Sequence, residues 1–338
     1  MNRRLLVGTG AGLALVSALP LLLNASPWPG ALLIRKLFNQ SGLQTRRDLK
    51  RYARTDVCMM EDIPYGAHPD ERLDLYRPHD AHGALPLLVW VHGGGWVAGN
   101  RKTVSCWLQV IASHGYACAA IGYSTARPSI RYPTPVRQVG KALDFLTSHS
   151  DRLGLDTNRF VLGGSSAGAQ IAAQVAMMGS SSYARRMGLL PSVAVSRLAG
   201  VVLASGAFDI AGVGDNWFVN SLLWAYTGNK HYRRDPYLQL MAITPNLTTR
   251  FPPTFITTGN ADPLLSQAHD LHRRMRTLGI DVDALFFDDP GAPRLQHEYQ
   301  FELDTDAGQL ALSRLIAFLS RTTAERNAAP ELSWRAAS

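Results

Sequence analysis

A chain of 338 residues with 46% hydrophobic and 18% charged residues has enough apolar material for a large core and is excluded from the disordered class. The formal net charge is +8, but the basic residues are scattered instead of forming one stripe, so no nucleic-acid partner is expected. Three cysteines, Cys58, Cys106 and Cys118, lack the paired spacing of a zinc site or a disulfide framework. They read as small buried apolar residues, although one pair could join in an oxidising compartment.

In chain order, Arg3 and Arg4 precede an uncharged apolar run from Leu5 to Leu23, and residues 24–29 break it. Residues 1–29 therefore read as an export signal, with Val16 and Ala18 before a cleavage point, or as an uncleaved membrane anchor. A buried N-terminal helix is the remaining reading. Export or anchoring puts the rest of the chain in the periplasm or outside the cell, in the anchored case at a membrane. Residues 30–54 read as a helical cap segment. An amphipathic helix is expected over 30–39, with Leu32, Leu33, Ile34, Leu37 and Phe38 on one apolar side, to cover a site or lie on a membrane. The densest basic cluster, from Arg46 to Arg54, follows it.

Residues 55–322 form the expected catalytic domain. Nearly continuous apolar runs at 85–91, 116–123, 159–162, 198–205, 254–258 and 282–287 predict strands buried on both faces. Helical periodicity covers 135–148 and 308–319. This alternation predicts an α/β fold: a mostly parallel central sheet with helices on both faces. Residues 208–250 break the rhythm with Trp217, Phe218, Trp224, Tyr226, Tyr232 and Tyr237, and read as a small cap insertion. Residues 323–338 read as a tail. No signal sets an oligomeric state.

The decisive motif is Gly164-Ser165-Ser166-Ala167-Gly168, placed between a predicted strand and a predicted helix. A serine on such a sharp turn takes a strained backbone, and neighbouring glycines leave room for it. Ser166 is thus the expected nucleophile, with a helix N-terminus behind it to favour negative charge. Upstream, His92-Gly93-Gly94-Gly95-Trp96 follows the 85–91 strand. Its glycines expose amides, so Gly93, Gly94 and the amide of Ala167 are the expected oxyanion hole.

These motifs, with Arg72-Leu73-Asp74-Leu75-Tyr76-Arg77-Pro78 and Gly259-Asn260-Ala261-Asp262-Pro263-Leu264, resemble the hormone-sensitive-lipase-like and related bacterial carboxylesterase branch of the α/β-hydrolases. The resemblance implies an α/β-hydrolase fold and ester hydrolysis. It also implies that His92 supports its loop instead of reacting. The chain departs from the family at Ser165, Gln138 and Ser266, where aspartates are common.

In this fold the acid and base follow the nucleophile in chain order. Asp262 fits as the acid, lying after the 254–258 strand; Asp209 is the reserve. The family's base position corresponds to His297, ahead of the last helix. His269 and His272 lie one turn apart in a helix, and without a third ligand they do not make a metal site. The expected partner is a small-molecule ester, with no metal or organic cofactor. Trp96, Trp217 and Trp224 could wall an apolar acyl pocket or simply pack the cap on the body. An amidase or arylformamidase-type hydrolase using the same triad is the alternative activity. A binding protein that has lost its chemistry is the alternative outside the enzymes.

Overall fold

Eight strands join into one sheet in the computed structural model, which describes residues 25–190, 195–210 and 212–324. They are β1 (Val57–Pro64), β2 (Arg72–Pro78), β3 (Leu85–Val91), β4 (Ala117–Ile121), β5 (Leu155–Ser165), β6 (Leu198–Ala204), β7 (Thr254–Thr257) and β8 (Val282–Leu285). Their order is β1-β2-β4-β3-β5-β6-β7-β8. Only β2 runs against its neighbours, β1 and β4; every pair from β4 to β8 is parallel. The expected mostly parallel α/β sheet is what the chain forms.

The α-helices that matter for the site are α1 (Trp28–Leu49), α2 (Ser105–Ala112), α3 (Thr134–Ser148), α4 (Ala167–Met177), α5 (Trp217–Thr227), α6 (Leu265–Thr277) and α7 (Asp306–Thr323). Alternate side chains of a strand point to opposite faces, and β3 divides accordingly. Leu87, Val89 and Val91 join a core with residues of α3, α4 and α6. Leu88 and Trp90 join a second core with residues of α2 and α7. Burial on both faces is why these strands read as unbroken apolar runs.

Several expectations need correction. The strands β1 and β2 were not foreseen. β1 is a largely exposed edge, and β2 carries Asp74, which is buried, accepts the Asp62 amide at 2.8 Å and pairs with Arg101 at 3.0 Å. Neither has an apolar run to betray it. The helix expected over 30–39 is α1, 22 residues long, and its apolar residues do not share one buried side. Ala31 and Ile34 face the core, while Leu32, Leu33 and Leu37 are exposed. The Arg35 guanidinium points inward, donating to the Val97 carbonyl at 2.6 Å and the Ala126 carbonyl at 2.5 Å. All three cysteines are free, and Cys58 is exposed instead of buried. The last helix extends past 319 to Thr323.

In the 208–250 stretch α5 is followed by short 3-10 turns, and it packs on α1 through Phe38 and Phe218, whose ring centroids lie 5.9 Å apart. The apolar run from Leu5 to Leu23 and nearly all of the expected tail lie outside the described residues. Among the described residues no helix is long and apolar enough to cross a membrane.

Candidate active site

Ser166 stands between the end of β5 and the first residue of α4, with φ 54° and ψ −124°. A non-glycine residue there costs about 1–3 kcal/mol, stored only where the surroundings hold it. The Ser166 amide is held by the Ala204 carbonyl of the neighbouring strand at 2.9 Å. Gly168 lets α4 approach the sheet: a Cβ at that position would lie 2.2 Å from the Val91 carbonyl oxygen and 2.4 Å from that of His92. Gly168→Ala is therefore expected to push the helix off the elbow, costing at least about 2 kcal/mol of stability together with activity. A urea unfolding midpoint unchanged in the variant would contradict this packing.

The elbow meets two loops from beyond β7 and β8. His297 Nε2 lies 3.0 Å from Ser166 Oγ, and its Nδ1 lies 2.8 Å from Asp262 Oδ2. A carboxylate only accepts, so Nδ1 carries the proton and Nε2 is left to accept from the serine hydroxyl. The Asp262 side chain is fully buried. Its Oδ2 also accepts from the Thr258 hydroxyl at 2.8 Å, and its Oδ1 from the Leu264 amide at 2.8 Å. Asp209, the reserve acid, does not meet His297; its amide donates to Gln267 Oε1 at 2.8 Å.

Burial works to raise the Asp262 carboxyl, but the His297 hydrogen bond and charge, with the Leu264 and Thr258 donors, outweigh it and hold the carboxyl below its usual range. For His297 burial works to lower the imidazole; the Asp262 hydrogen bond and the charges of Glu298 and Asp262 outweigh it and raise it. His92 is different. Burial pushes it down to about 4 against the pull of the Gly93 carbonyl, which its Nδ1 meets at 2.8 Å. Stacked on Tyr123 at 4.2 Å between centroids, it is a neutral prop for the glycine loop.

That loop lies beside the serine: a Cβ at Gly93 would sit 3.1 Å from Ser166 Cβ. Gly94 has φ 121°, and its carbonyl accepts the Val97 and Ala98 amides at 3.2 and 2.9 Å, which curls the loop back. A Cβ at Gly94 would strike the Ala98 carbonyl at 2.2 Å. Ala167 opens α4, where a helix leaves its first amides without internal partners. Gly93 and Gly94 thus line the same cleft as Ser166, and Ala167 follows Ser166 in the chain.

Ser166 opens into a cleft of about 610 Å³. Phe38, Val104, Phe301 and Leu303 give it apolar lining, and Arg51, Tyr52 and Asp304 a polar end joined by an Arg51–Asp304 ion pair and a 2.7 Å Tyr52–Asp304 hydrogen bond. None of the three expected tryptophans lines it. Trp96 is buried, stacked on Tyr226 and donating to Gln170 Oε1 at 3.0 Å. Trp217 and Trp224 border a separate cavity of about 430 Å³ that shares no lining residue with the cleft. A tryptophan's presence shows in a sequence, but the direction of its ring does not.

Two further residues shape the site without an apolar run or glycine motif of their own to mark them. Asn260 clamps the loop that carries Asp262 to the loop that carries His297, donating to the Phe287 and Pro293 carbonyls at 3.2 and 3.0 Å and accepting the Leu295 amide at 2.8 Å. Its place inside the Gly259–Leu264 motif was the available signal. Glu298, next to His297, lines the cleft with φ 61°, its amide held by Ser205 Oγ at 3.1 Å. Removing its charge in Glu298→Gln should lower the His297 pKa. A histidine acting as general base must be neutral, so with His297 in that role the acid limb of kcat/KM should then move to lower pH; an unmoved limb would show that the charge is screened. His269 and His272 flank Phe286, with His269 3.2 Å from Asp288. Among the described residues no group of three or more His, Cys, Asp or Glu could hold a metal ion.

Comparison with known proteins agrees with this architecture. An esterase of Fusarium pseudograminearum is 25% identical over 210 residues, covering 60% of this chain and 63%, less than two thirds, of that protein. An acetyl esterase of Salmonella schwarzengrund is 27% identical over 229 residues, 66% of this chain and 67% of that one. The crystal structure of esterase B from Lactobacillus rhamnosis superposes with a TM-score of 0.71 at 22% identity, covering 86% of this chain and 96% of that one. The fold is that of the α/β-hydrolase esterases. The family model BD-FAE matches residues 73–275, from β2 into α6. With more than half of its length matched on this sheet, the chain belongs to the BD-FAE family.

Proposed function

We propose that the chain is a serine carboxylesterase that cleaves short- to medium-chain acyl esters through an acyl-enzyme on Ser166. The observation that carries this reading is the unbroken Asp262–His297–Ser166 hydrogen-bond chain, at 2.8 and 3.0 Å, ending on a strained elbow beside the glycine loop. His297 Nε2 takes the hydroxyl proton as Ser166 Oγ attacks the ester carbonyl, and the Gly93, Gly94 and Ala167 amides receive the oxyanion. Asp262 holds the imidazole in its working tautomer and offsets the charge it gains. The tetrahedral adduct collapses, His297 protonates the departing alcohol, and water repeats the cycle on the acyl-enzyme. Every proton moves through His297, so no step calls on a metal or organic cofactor. The esterase and acetyl esterase names of the relatives support the reaction and a short acyl group.

Turnover of p-nitrophenyl esters from acetate to laurate, set beside the matched anilides, tests the reading. Esters are expected to be hydrolysed far faster than amides, with kcat/KM falling at the longest chains. Preference for the anilide would move the assignment to an amidase.

A further inference from the structure

We propose that the outer face of α1, together with Trp217 and Phe218 of α5, docks on the surface of an anionic phospholipid bilayer. At about 3.6 residues per turn, Leu32, Leu33, Lys36, Leu37, Leu43 and Arg47 fall on one side of α1. The four leucines are 51–54% exposed, and Lys36 and Arg47 are exposed between them. The opposite side carries Ala31, Ile34 and Leu49 into the core. Exposing four leucines to water on one helix is unfavourable unless something covers them.

The patch continues onto α5. A Cβ at Gly30 would lie 3.0 Å from the Trp217 ring, and Phe218 meets Phe38 edge to face. Trp217 and Phe218 remain 45% and 40% exposed at this junction. Further along α1, Arg46 adds another exposed cation.

The chemistry selects the occupant. Protein interfaces deplete lysine at their centres, whereas a helix lying in a membrane interface interleaves leucine with Lys and Arg. The apolar chains enter the acyl boundary and the cations meet lipid phosphates. Tryptophan favours the same headgroup level. The chain ahead of α1 agrees, since the uncharged apolar run that follows Arg3 and Arg4 ends at Leu23, just before Trp28. The cleft runs along the C-terminal half of the same helix, through Ser41, Gly42, Thr45 and Asp48 on its inner side, which leaves the outer face free to dock.

The test uses the full chain with Cys58→Ser and Leu37→Cys, the latter labelled with an NBD dye, on vesicles of phosphatidylcholine with and without phosphatidylglycerol. A label at Asp80→Cys, on the turn after β2, is the control. A blue shift and quenching by brominated acyl chains are expected at position 37, stronger with phosphatidylglycerol and weakened by salt, with little change at position 80. Adding Leu33→Glu and Phe218→Glu should reduce the response. Turnover of a water-soluble ester by both labelled proteins should stay unchanged, separating this surface from the catalytic reading. A position-37 label that stays in a water-like environment on vesicles carrying the protein overturns the proposal. So does a blue shift that needs no lipid and grows with protein concentration, because a second copy then covers the face.

Discussion

Replacing Ser166 by alanine is expected to lower kcat by a factor on the order of 10⁶ while leaving the unfolding midpoint close to that of the parent. The two effects separate because the elbow is held by backbone: the Ser166 amide bonds the Ala204 carbonyl, and Gly168 allows α4 to close on β3. Only the hydroxyl is lost, and with it the acceptor–donor contact to His297 Nε2. Residual hydrolysis from the oxyanion amides and substrate binding should persist above the uncatalysed rate. Steady-state kinetics and a thermal melt on the same preparation are sufficient. Retention of most of the activity would mean that another group attacks the ester.

Asp262→Asn is the second large effect, a loss of roughly 10⁴ in kcat with KM little altered. The hydrogen bonds around the carboxylate dictate why. The Leu264 amide requires an acceptor at Oδ1, so the new amide nitrogen must take the place of Oδ2, facing His297 Nδ1. A donor there favours the tautomer protonated on Nε2, which cannot take the serine proton. Thr258, which donates to Oδ2 in the parent, also loses its acceptor. Asp209→Asn should leave kcat near the parent value, and a matching collapse in that variant would transfer the acid role to Asp209.

Much of this geometry is legible in the sequence because it rests on backbone constraints that leave a residue-type mark. The glycines around Ser166 and in the His92 loop are required by contacts such as the 2.2 Å approach of a Gly168 Cβ to Val91, and glycine is visible in a sequence. Strands buried on both faces advertise themselves as apolar runs, as β3 and β4 do. The exposed edge strand β1 and the charged β2 have no such mark; β2 is placed by pairing with β4, and β1 by pairing with β2.

Directions of side chains were the larger gap. The apolar residues of α1 read as one sticky side, yet Ile34 is buried while its neighbour Leu33 points outward. Arg35 on the inner side satisfies two carbonyls, a role that composition does not reveal. The tryptophans expected at the acyl pocket turn elsewhere, and Phe38, Val104, Phe301 and Leu303 line the cleft instead. Glu298 illustrates a third kind of gap: its influence on His297 comes from charge in a shared cavity, where adjacency in sequence says nothing of orientation.

The central claim is that the Ser166 hydroxyl is the activated nucleophile, and covalent trapping tests it most directly. Incubation of the full chain with a fluorophosphonate, followed by intact mass and peptide mapping, should show one adduct per chain on the peptide carrying Ser166. The adduct should be absent in Ser166→Ala and slow to form in His297→Ala. A parent protein that stays unlabelled, or an adduct mapped to any other residue, would contradict the account.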